Sequence, residues 1–257
     1  MELKSVLELA VTVGEKLLVN GCGTHRIEAE VKRTLSSCNL IKTEVFVTTS
    51  VVIVTIDSPE TGLLTMVKHV TKKAMHTERI AYIEEIITDF VKKNIDVETS
   101  IKEILNMESK NTYSFFVTSM AFAGAGAFRT FMFGGTILDA LTSIMVGFCV
   151  GIFIQILTSI KILPFLVTIC AGFIVGFVSV LLMRYGIGSN LDKIIIGSLI
   201  SFAPGVPFVH AVNDILNGEH ISGNIRAIEA VLSGIAIAAG IAFALYVWGY
   251  LAGGAII

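Results

Sequence analysis

Charged residues are concentrated in the first half of this chain, and this asymmetry limits the folds that it can adopt. Of its 19 basic and 21 acidic residues, 14 and 16 lie within positions 1–113, which leaves ten for the remaining 144 positions. The longest run without a charge is Ala230–Ile257. A charge at the centre of a bilayer costs at least about 2.5 kcal/mol, and a helix needs about 20 apolar residues to cross it. The sequence therefore predicts two domains, 1–113 outside the bilayer and 114–257 within it.

The first domain combines helical and strand patterns. Apolar residues recur at helical spacing in four stretches, which are 3–18, 24–35, 78–93 and 98–108. Three stretches rich in Val, Ile and Thr lie between them, at 44–49, 51–57 and 63–70. These patterns predict a soluble α+β domain, with helices at both ends of a small antiparallel sheet.

The second domain contains five apolar runs, each near the length that a bilayer requires. They lie at about 115–133, 140–160, 162–183, 194–212 and 230–251. Gly, Ala and Ser are frequent in them, and small residues let membrane helices approach one another closely. A soluble helical core is the alternative, but five charge-poor runs in succession would leave it almost no polar surface. We therefore predict an α-helical membrane domain of five transmembrane helices.

Basic residues near the ends of the spans favour one orientation, although their bias is small. With the first domain in the cytoplasm, Lys110, Lys161 and Arg226 lie inside, whereas Arg184 and Lys193 lie outside. The start of the chain carries glutamates among its apolar residues, which a secretory signal peptide would not. Both observations predict a multi-pass protein of the cell membrane (inner or plasma membrane) whose N-terminal domain is cytoplasmic.

The fourth apolar run is interrupted by Pro204, Gly205 and Pro207. Each proline lacks an N–H and clashes with the carbonyl four residues before it, so the carbonyls of Ile200 and Ala203 lose their helical partners. Within a bilayer such carbonyls persist only where protein or a water-filled cavity satisfies them, and transporters build midplane binding sites from broken helices. The sequence predicts either a simple proline kink or a binding site at this break.

A dense polar patch follows the broken run. Its members are His210, Asn213, Asp214, Asn217, Gly218, Glu219, His220, Ser222, Gly223, Arg226 and Glu229. His210 and Asp214 are four residues apart and share a face if the helix continues. The patch is either an ordinary cytoplasmic loop or a gate, in which Asp214 or Glu229 carries a proton and Arg226 binds a carboxylate.

Arg129 is a second charged residue at membrane depth, well inside the first apolar run. Its long side chain either reaches the far interface or faces the interior of the helix bundle. In the second case we expect it to pair with an anion or with Asp139.

Other classes of site have no support in the sequence. The chain has no Walker A motif, and its net charge of −2 does not point to a nucleic-acid partner. The four cysteines show no CxxC spacing, so we expect free thiols. His69 and His76 have no cysteine nearby, and no metal site is predicted. Because no catalytic arrangement can be assembled from the spacing, we expect neither a cofactor nor an enzyme.

Two stretches of the chain resemble signatures of the threonine/serine exporter family. The first, Gly21–Glu28, reads GCGTHRIE and is similar to the amino-terminal G-x-x-T-x-R-[IV]-E signature. The second comprises Pro204-Gly205-Val206-Pro207, Asn213-Asp214, Asn217-Gly218, Gly223, Arg226 and Glu229. The order and separation of the two stretches make the pair more specific than either alone. The resemblance runs over the whole chain and implies a membrane exporter.

The resemblance also implies a partner and a class of cargo. Full-length members carry a second, smaller membrane half, and this chain ends after its fifth apolar run. We therefore expect the larger subunit of the split form, with a small separate YjjB-like membrane subunit as its partner in a hetero- or homo-oligomer. Dicarboxylates such as succinate are implied as cargo.

Two roles are open for Thr24, Arg26 and Glu28 of the first signature. They form either a structural cap with an ion pair, or a contact with the patch around Asp214 and Arg226 that couples the soluble domain to the membrane domain.

These observations favour a subunit of a secondary-active exporter of small carboxylate-bearing metabolites, namely threonine, serine or dicarboxylates, driven by the proton gradient. The alternative is a non-transporting membrane receptor or scaffold, whose soluble domain senses a cytoplasmic ligand while the other domain anchors it.

Overall fold

The computed structural model of the protein describes residues 3–36, 38, 40–59, 61–71, 75–107, 113–160 and 162–252. By their internal contacts the residues form two compact units. The first unit comprises 1–111 and 207–227, and the second comprises 112–206 and 228–257. The domain boundary after residue 113 stays a prediction, because the grouping by contacts is not a test of separate domains. The contacts add that 207–227, from the second half of the chain, belong to the first unit.

The first unit contains four helices and one sheet from the first part of the chain. The helices are α1 (Leu3–Val19), α2 (Thr24–Leu35), α3 (Thr77–Val91) and α4 (Val97–Asn106). The strands are β1 (Lys42–Val47), β2 (Val51–Ser58) and β3 (Gly62–His69). They pair in the order β1-β2-β3, and both pairs are antiparallel, as predicted.

The core of the first unit lies between α1 and one face of the sheet. Val52, Val54 and Ile56 of β2 alternate with half-buried residues and are themselves fully buried, which is the period of two that a one-sided sheet requires. A Cβ atom on Gly14 of α1 would lie 2.8 Å from a methyl carbon of Val52, so the absence of a side chain there lets the helix lie directly on the strand.

The remaining helices are α5 (Phe115–Met132), α6 (Ile137–Ser159), α7 (Pro164–Arg184), α8 (Leu191–Leu199), α9 (Gly205–Leu216) and α10 (His220–Leu251). Within the described residues, four of these helices are long and apolar enough to cross a membrane, namely α5, α6, α7 and α10. The predicted count of five spans is therefore not confirmed. The predicted fourth span consists instead of α8 and α9, with 9 and 12 residues, and each is too short to cross a bilayer alone.

Small residues and exposed apolar side chains characterise the second unit. A Cβ atom on Gly147 of α6 would lie 2.8 Å from the Phe122 carbonyl oxygen of α5, and one on Gly172 of α7 would lie 2.5 Å from the Ile237 carbonyl oxygen of α10. Such close backbone approach is typical of membrane helices. Large apolar side chains are also exposed in number, among them Phe128, Phe131, Ile137, Leu166, Ile235 and Phe243. Soluble proteins rarely expose so much apolar surface, whereas lipid would cover it.

The last helix begins earlier than predicted. We expected an apolar span at 230–251 after a polar patch, but α10 already starts at His220. The polar residues from His220 to Glu229 therefore form its first turns and not an ordinary loop, which was one of the two interpretations of the patch. The chain reverses within Asn217–Glu219, because Gly218 has a φ of 88° and ends α9 abruptly.

Candidate functional site

Two helices of the first unit end in the same type of turn. At the end of α1, the N–H of Gly21 donates to the Leu18 carbonyl and the N–H of Cys22 donates to the Leu17 carbonyl. This is a Schellman motif, and Gly21 takes the left-handed conformation that it needs, with a φ of 83°. The turn ends α1 and presents the Cys22 carbonyl and Gly23 immediately before α2.

The end of α9 repeats this arrangement. The N–H of Gly218 donates to the Ile215 carbonyl, and the N–H of Glu219 donates to the Asp214 carbonyl. The following helix packs tightly against α9, since a Cβ atom on Gly223 would lie 2.9 Å from the Ala211 carbonyl oxygen. The α9–α10 turn is therefore a compact helical hairpin that holds Asp214 and the start of α10 in fixed positions.

The two turns meet through Arg226 of α10. Its Nη2 atom donates a hydrogen bond of 3.0 Å to the Cys22 carbonyl oxygen. Its Nε atom lies 3.1 Å from Oδ2 of Asp214 in a salt bridge, in which the Asp214 side chain is completely buried and that of Arg226 is 11% exposed. Residues 204 positions apart thus form one polar cluster, which we call the Asp214–Arg226 cluster (Cys22, Gly23, His210, Asp214 and Arg226).

Gly23 and His210 complete the Asp214–Arg226 cluster. A Cβ atom on Gly23 would lie 3.4 Å from Nδ1 of His210 and 3.8 Å from Oδ1 of Asp214. His210 and Asp214 share a face of α9, as their spacing of four residues predicted. Gly23 is the N-cap of α2 and has no side chain to bond the first N–H groups of that helix. The carboxylate of Asp214 therefore lies beside the positive end of α2, where the helix dipole favours it.

Hydrogen bonding within the Asp214–Arg226 cluster is incomplete. Neither carboxylate oxygen of Asp214 accepts a hydrogen bond of regular geometry from any described group, and Nε of Arg226 donates none to any described group. The 3.1 Å approach between Asp214 and Arg226 is thus a contact of opposite charges rather than the two-pronged hydrogen-bonded pair that guanidinium and carboxylate groups can form. A buried charge held this way is costly to separate from its partner.

Burial also determines the chemistry of the Cys22 side chain. Removal from water raises the pKa of the Cys22 thiol to about 11, despite the opposing effect of the nearby Arg26. The thiol therefore stays protonated near neutral pH and is a poor nucleophile. The carbonyl of Cys22, rather than its sulfur, takes part in the cluster.

The first signature has only part of its predicted arrangement. Thr24 is the first residue of α2 and does not cap it, because Gly23 occupies the N-cap position and the Thr24 hydroxyl is buried without a described partner. Arg26 forms its ion pair with Glu84 of α3, with nitrogen–oxygen distances of 2.7 and 2.6 Å.

Glu28 has a separate role in the same helix. Its carboxylate accepts a hydrogen bond of 3.2 Å from the Val47 N–H and so ties α2 to the end of β1. Burial raises the pKa of Glu28, and the nearby Glu219 carboxylate of the α9–α10 turn acts in the same direction. The first signature thus approaches the second through Cys22, Gly23 and Glu28, whereas Arg26 points to α3.

The break between α8 and α9 is built by one proline rather than two. Helix α8 ends at Leu199, and α9 begins at Gly205, directly after Pro204. Pro207 lies in the first turn of α9, where an N–H has no helical acceptor in any case, so the prediction that it also disrupts the helix is wrong. The Ala203 carbonyl, predicted to be free, accepts a hydrogen bond of 2.7 Å from the Gly205 N–H.

Arg129 of α5 contacts this break. Its guanidinium donates a short hydrogen bond to the hydroxyl of Ser201. Arg129 does not pair with Asp139, whose carboxylate is part of a capping box with Thr136 at the start of α6 and also accepts hydrogen bonds from Asn190. The structure therefore places Arg129 at the interrupted helix.

An apolar cavity of about 430 Å³ adjoins the break. Its lining comprises Ile154, Thr158, Ile162, Pro164, Val167, Thr168, Ala171 and Phe202. Phe202 belongs to the break and stacks on Phe122 of α5, with the ring centroids 5.0 Å apart. The cavity thus lies between α6 and α7, and one residue of the interrupted segment forms part of its wall.

Two predicted site residues, Asn213 and Glu229, lie outside both the Asp214–Arg226 cluster and the break between α8 and α9. Asn213 is exposed on α9 and interacts with Asn217, whose amide donates to its backbone and side-chain oxygens. Glu229 is exposed on α10 in the second unit.

Sequence reasoning missed several residues that the structure brings to these places. They are Cys22, Gly23, Ser201, Phe202 and, as the partner of Arg26, Glu84. The glycines of the first signature were a usable signal for a close backbone approach, but Ser201 and Phe202 carry no sequence pattern of their own. In the part of the chain that the structure describes, no group of three His, Cys, Asp or Glu side chains is arranged to hold a metal ion.

The long apolar helices, their close packing through glycine and the interrupted segment define a multi-pass helical membrane protein. Residues 8–248 match the family model ThrE, which is described as "Putative threonine/serine exporter". Because this match covers nearly the whole chain, the protein belongs to the threonine/serine exporter family, a family of transporters. No curated protein and no solved structure matches the chain.

Proposed function

We propose that this protein is a subunit of a secondary-active exporter of small carboxylate-bearing metabolites. Threonine and serine are the first candidates because of the family, and dicarboxylates such as succinate are the second. One observation carries the proposal: Arg129 donates to Ser201 inside the interruption between α8 and α9.

The interruption offers a hydrogen-bond donor and positive charge to a carboxylate. In the first turn of α9 the Val206 N–H has no helical acceptor, whereas the Gly205 N–H donates to the Ala203 carbonyl and Pro207 has no N–H; the helix dipole adds a partial positive charge there. Broken helices of transporters direct such ends at the anionic groups of their substrates. Arg129 adds a fixed full charge beside Ser201, so the break can recognise one carboxylate.

The position of Arg129 supports a role in binding. Charged side chains within apolar spans commonly mark substrate pathways, and Arg129 lies in the last turn of the apolar helix α5. Arg129 is half-buried in α5, and its described hydrogen bond is to a neutral hydroxyl rather than to a carboxylate. Its positive charge therefore remains available to an anion.

The cavity beside the break suits a small substrate. Its volume of about 430 Å³ lies within the range of small-molecule sites. Its lining side chains are apolar except for those of Thr158 and Thr168. We propose that the carbon skeleton of the substrate enters this cavity while its carboxylate approaches Arg129.

We propose the proton gradient as the driving force, with Asp214 as the proton carrier in preference to Glu229. Asp214 is buried and paired with Arg226, so a change in its charge would alter a contact between two distant segments. Glu229 is exposed on α10, so its protonation would alter contacts within the protein less than that of Asp214.

The proposal includes a location and a partner. We place the protein in the cell membrane with its N-terminal domain in the cytoplasm, and we expect a YjjP-like larger subunit that works with a small YjjB-like membrane subunit. The resemblance of the two signature stretches supports these assignments.

Efflux from proteoliposomes tests the proposal. Vesicles that contain the protein, alone or with the smaller subunit, are loaded with labelled threonine, serine or succinate, and a proton gradient is applied. We expect efflux of at least one of the three, and we expect Arg129→Gln to reduce it by about tenfold or more, because a hydrogen bond to a charged group contributes about 1.5–3 kcal/mol.

Two variants serve as controls for this experiment. Arg129→Lys keeps the charge and should retain part of the efflux. Arg184→Gln removes an exposed arginine from the last turn of α7 and should leave efflux within about twofold of the unmodified protein. If no cargo moves in either subunit arrangement, the exporter proposal fails and a membrane receptor or scaffold becomes the better explanation. If Arg129→Gln transports normally, the break is not the binding site.

A further inference from the structure

We propose that α10 associates with the same helix of further copies of this chain, in a parallel bundle of three or four helices. The contact surface is an apolar stripe along α10, which we call the α10 stripe (Ile221, Ile225, Ile228, Leu232 and Ile235). The inference concerns assembly and does not depend on the cargo or the driving force proposed above.

The α10 stripe has the spacing of a coiled coil. Its members follow one another at intervals of four, three, four and three residues. This is the seven-residue repeat in which apolar residues alternate between positions a and d. Ile225 and Leu232 occupy position a, and the other three members occupy position d. A repeat of this length keeps one seam of a helix facing a partner helix.

The described part of the chain does not cover the α10 stripe. All five side chains are exposed, with relative exposures between 38% and 66%. The opposite face of α10 packs on its own chain, since a Cβ atom on Gly223 would meet the α9 backbone and one on Gly240 would clash with the Ile169 carbonyl oxygen of α7. Arg226 and Ala244 on that face are buried. One face of α10 thus serves the fold, and the other is open to a second molecule.

Lipid alone does not account for the stripe, because α10 is longer than the apolar part of a bilayer is thick. Its 32 residues extend over about 48 Å, whereas the hydrocarbon core measures about 30 Å. The charged residues of α10, Arg226 and Glu229, lie among its first ten residues, so we place this end outside the core. Ile221, Ile225 and Ile228 belong to the same end, where lipid tails would not cover them. Contiguous apolar surface of this kind marks a protein contact.

The flanking residues favour a further copy of this chain as the partner. Copies in one membrane share an orientation, so the same helix of each copy meets the others in parallel around a common axis. In a parallel bundle, position g of one helix faces position e of the next, which brings the exposed Asn224 of one copy to the exposed Glu229 of its neighbour. The Asn224 amide can donate a hydrogen bond to that carboxylate, and no like charges meet.

The residue types in the stripe indicate the number of copies. Isoleucine occupies every d position of the stripe, and isoleucine or leucine occupies the a positions. In parallel coiled coils, isoleucine at d with either residue at a shifts the preference from two helices to three or four. We therefore expect a trimer or a tetramer rather than a dimer.

Disulfide formation in membranes tests the proposal. The full chain is expressed without any other subunit, in two forms with different affinity tags, and its four native cysteines are replaced by alanine. New cysteines are placed in two neighbouring pairs, each at one depth. Ile228→Cys and Ile235→Cys lie in the stripe, whereas Ala227→Cys and Gly234→Cys lie at position c, away from it.

We expect the stripe cysteines to form disulfide-linked pairs that contain both tags. Their yield under a mild membrane-permeant oxidant should exceed that of their position-c neighbours at least about fivefold, because a disulfide needs two Cα atoms within about 7 Å. Equal yields within each neighbouring pair would overturn the proposal.

Light scattering in detergent measures the number of copies. For the unmodified chain we expect a protein mass of three or four times the 27.6 kDa of one chain. Ile225→Ser/Ile228→Ser should reduce this mass to that of one chain, and Gly234→Ser should leave it unchanged. The exposed stripe side chains lie outside the core, so the serine variants should still fold.

Three results of the mass measurement would contradict the proposal. A mass of one or two chains for the unmodified protein is the first, and an unchanged mass for Ile225→Ser/Ile228→Ser is the second, since another surface would then hold the copies together. The third is a single chain that gains mass only when the smaller subunit is added, because the stripe would then bind that subunit. Since transport is not measured, failure here leaves the efflux experiment on Arg129 unaffected.

Discussion

Two buried aspartates show how differently one side chain is held in the two units. The carboxylate of Asp139, in the second unit, accepts five hydrogen bonds. They come from the N–H and hydroxyl of Thr136, from the N–H groups of Ser189 and Asn190, and from the Asn190 side chain. Asp214, in the first unit, is equally buried but is held by a charge contact with Arg226.

This difference separates a carboxylate held by several directional bonds from one held by a single opposite charge. Every oxygen of Asp139 is fixed by short directional bonds within neighbouring loops, so its charge cannot leave without breaking them all. Asp214 depends on one partner of opposite charge, which also binds the Cys22 carbonyl. Asp139 is therefore an anchor of the fold, whereas the role proposed for Asp214 in transport requires only one charge contact to break.

The largest expected effect is on stability at Asp139. Asp139→Ala removes a buried carboxylate that accepts five hydrogen bonds, and a hydrogen bond to a charged group contributes about 1.5–3 kcal/mol, so we expect a loss of about 3 kcal/mol or more in the free energy of unfolding. Thermal unfolding in detergent measures this change. A loss below about 0.5 kcal/mol, the range of ordinary surface substitutions, would remove the contrast with Asp214.

The reactivity of Cys22 reports whether the Asp214–Arg226 cluster opens. In a chain whose other cysteines are replaced by alanine, the pKa of about 11 predicts labelling by a maleimide at pH 8 about 100-fold slower than for an ordinary exposed thiol. Since the thiolate fraction rises tenfold per pH unit below the pKa, the rate should rise about tenfold between pH 8 and pH 9.

Arg226→Gln sharpens this measurement. Loss of the bond to the Cys22 carbonyl should expose the turn and increase the labelling rate at pH 8. An unchanged rate would show that the contact with Arg226 does not hold the turn in place.

The α9–α10 hairpin that carries Asp214 should depend on Gly223. In Gly223→Ala the new Cβ atom would meet the Ala211 carbonyl oxygen at 2.9 Å and a side-chain carbon of Ile215 at 2.5 Å. Overpacking of this kind costs about 1–3 kcal/mol, so thermal unfolding should occur at lower temperature. Gly234→Ala, in the same helix, meets nothing within 4 Å and should be neutral or stabilising. Equal effects of the two substitutions would contradict the packing.

The smallest effect is expected for the ion pair between Arg26 and Glu84. Arg26 is more than half exposed, so Arg26→Ala should lower the free energy of unfolding by about 1 kcal/mol or less. High salt should reduce the difference further, because it screens exposed pairs. A much larger loss would mean that this pair helps to hold the Asp214–Arg226 cluster in place. Asp214 would then not depend on its contact with Arg226 alone, and its contrast with Asp139 would be weaker.

Local patterns predicted the individual elements well. Length and hydropathy located α5, α6 and α7, and the alternation of Val, Ile and Thr located the three strands, because each pattern follows directly from the environment of its own residues. The start of α10 was not predicted, since polar residues at a helix start look the same as a polar loop.

The contacts between distant segments were beyond the reach of such patterns. The meeting of Cys22 with Arg226 spans 204 positions and depends on two Schellman turns, whose direction in space a single sequence does not specify. Similarly, the proline at 204 indicated a break, but the contact between Arg129 and Ser201 required the packing of α5 against α8.

The most direct test of the account is threonine efflux by the variant Asp214→Asn/Arg226→Ala. The protein is reconstituted alone and with the proposed smaller subunit, and the rate is normalised to the amount of folded protein. We predict a rate reduced by about tenfold or more, because the pair that joins the two signature segments is lost. A rate equal to that of the unmodified protein would contradict the claim that this pair serves transport.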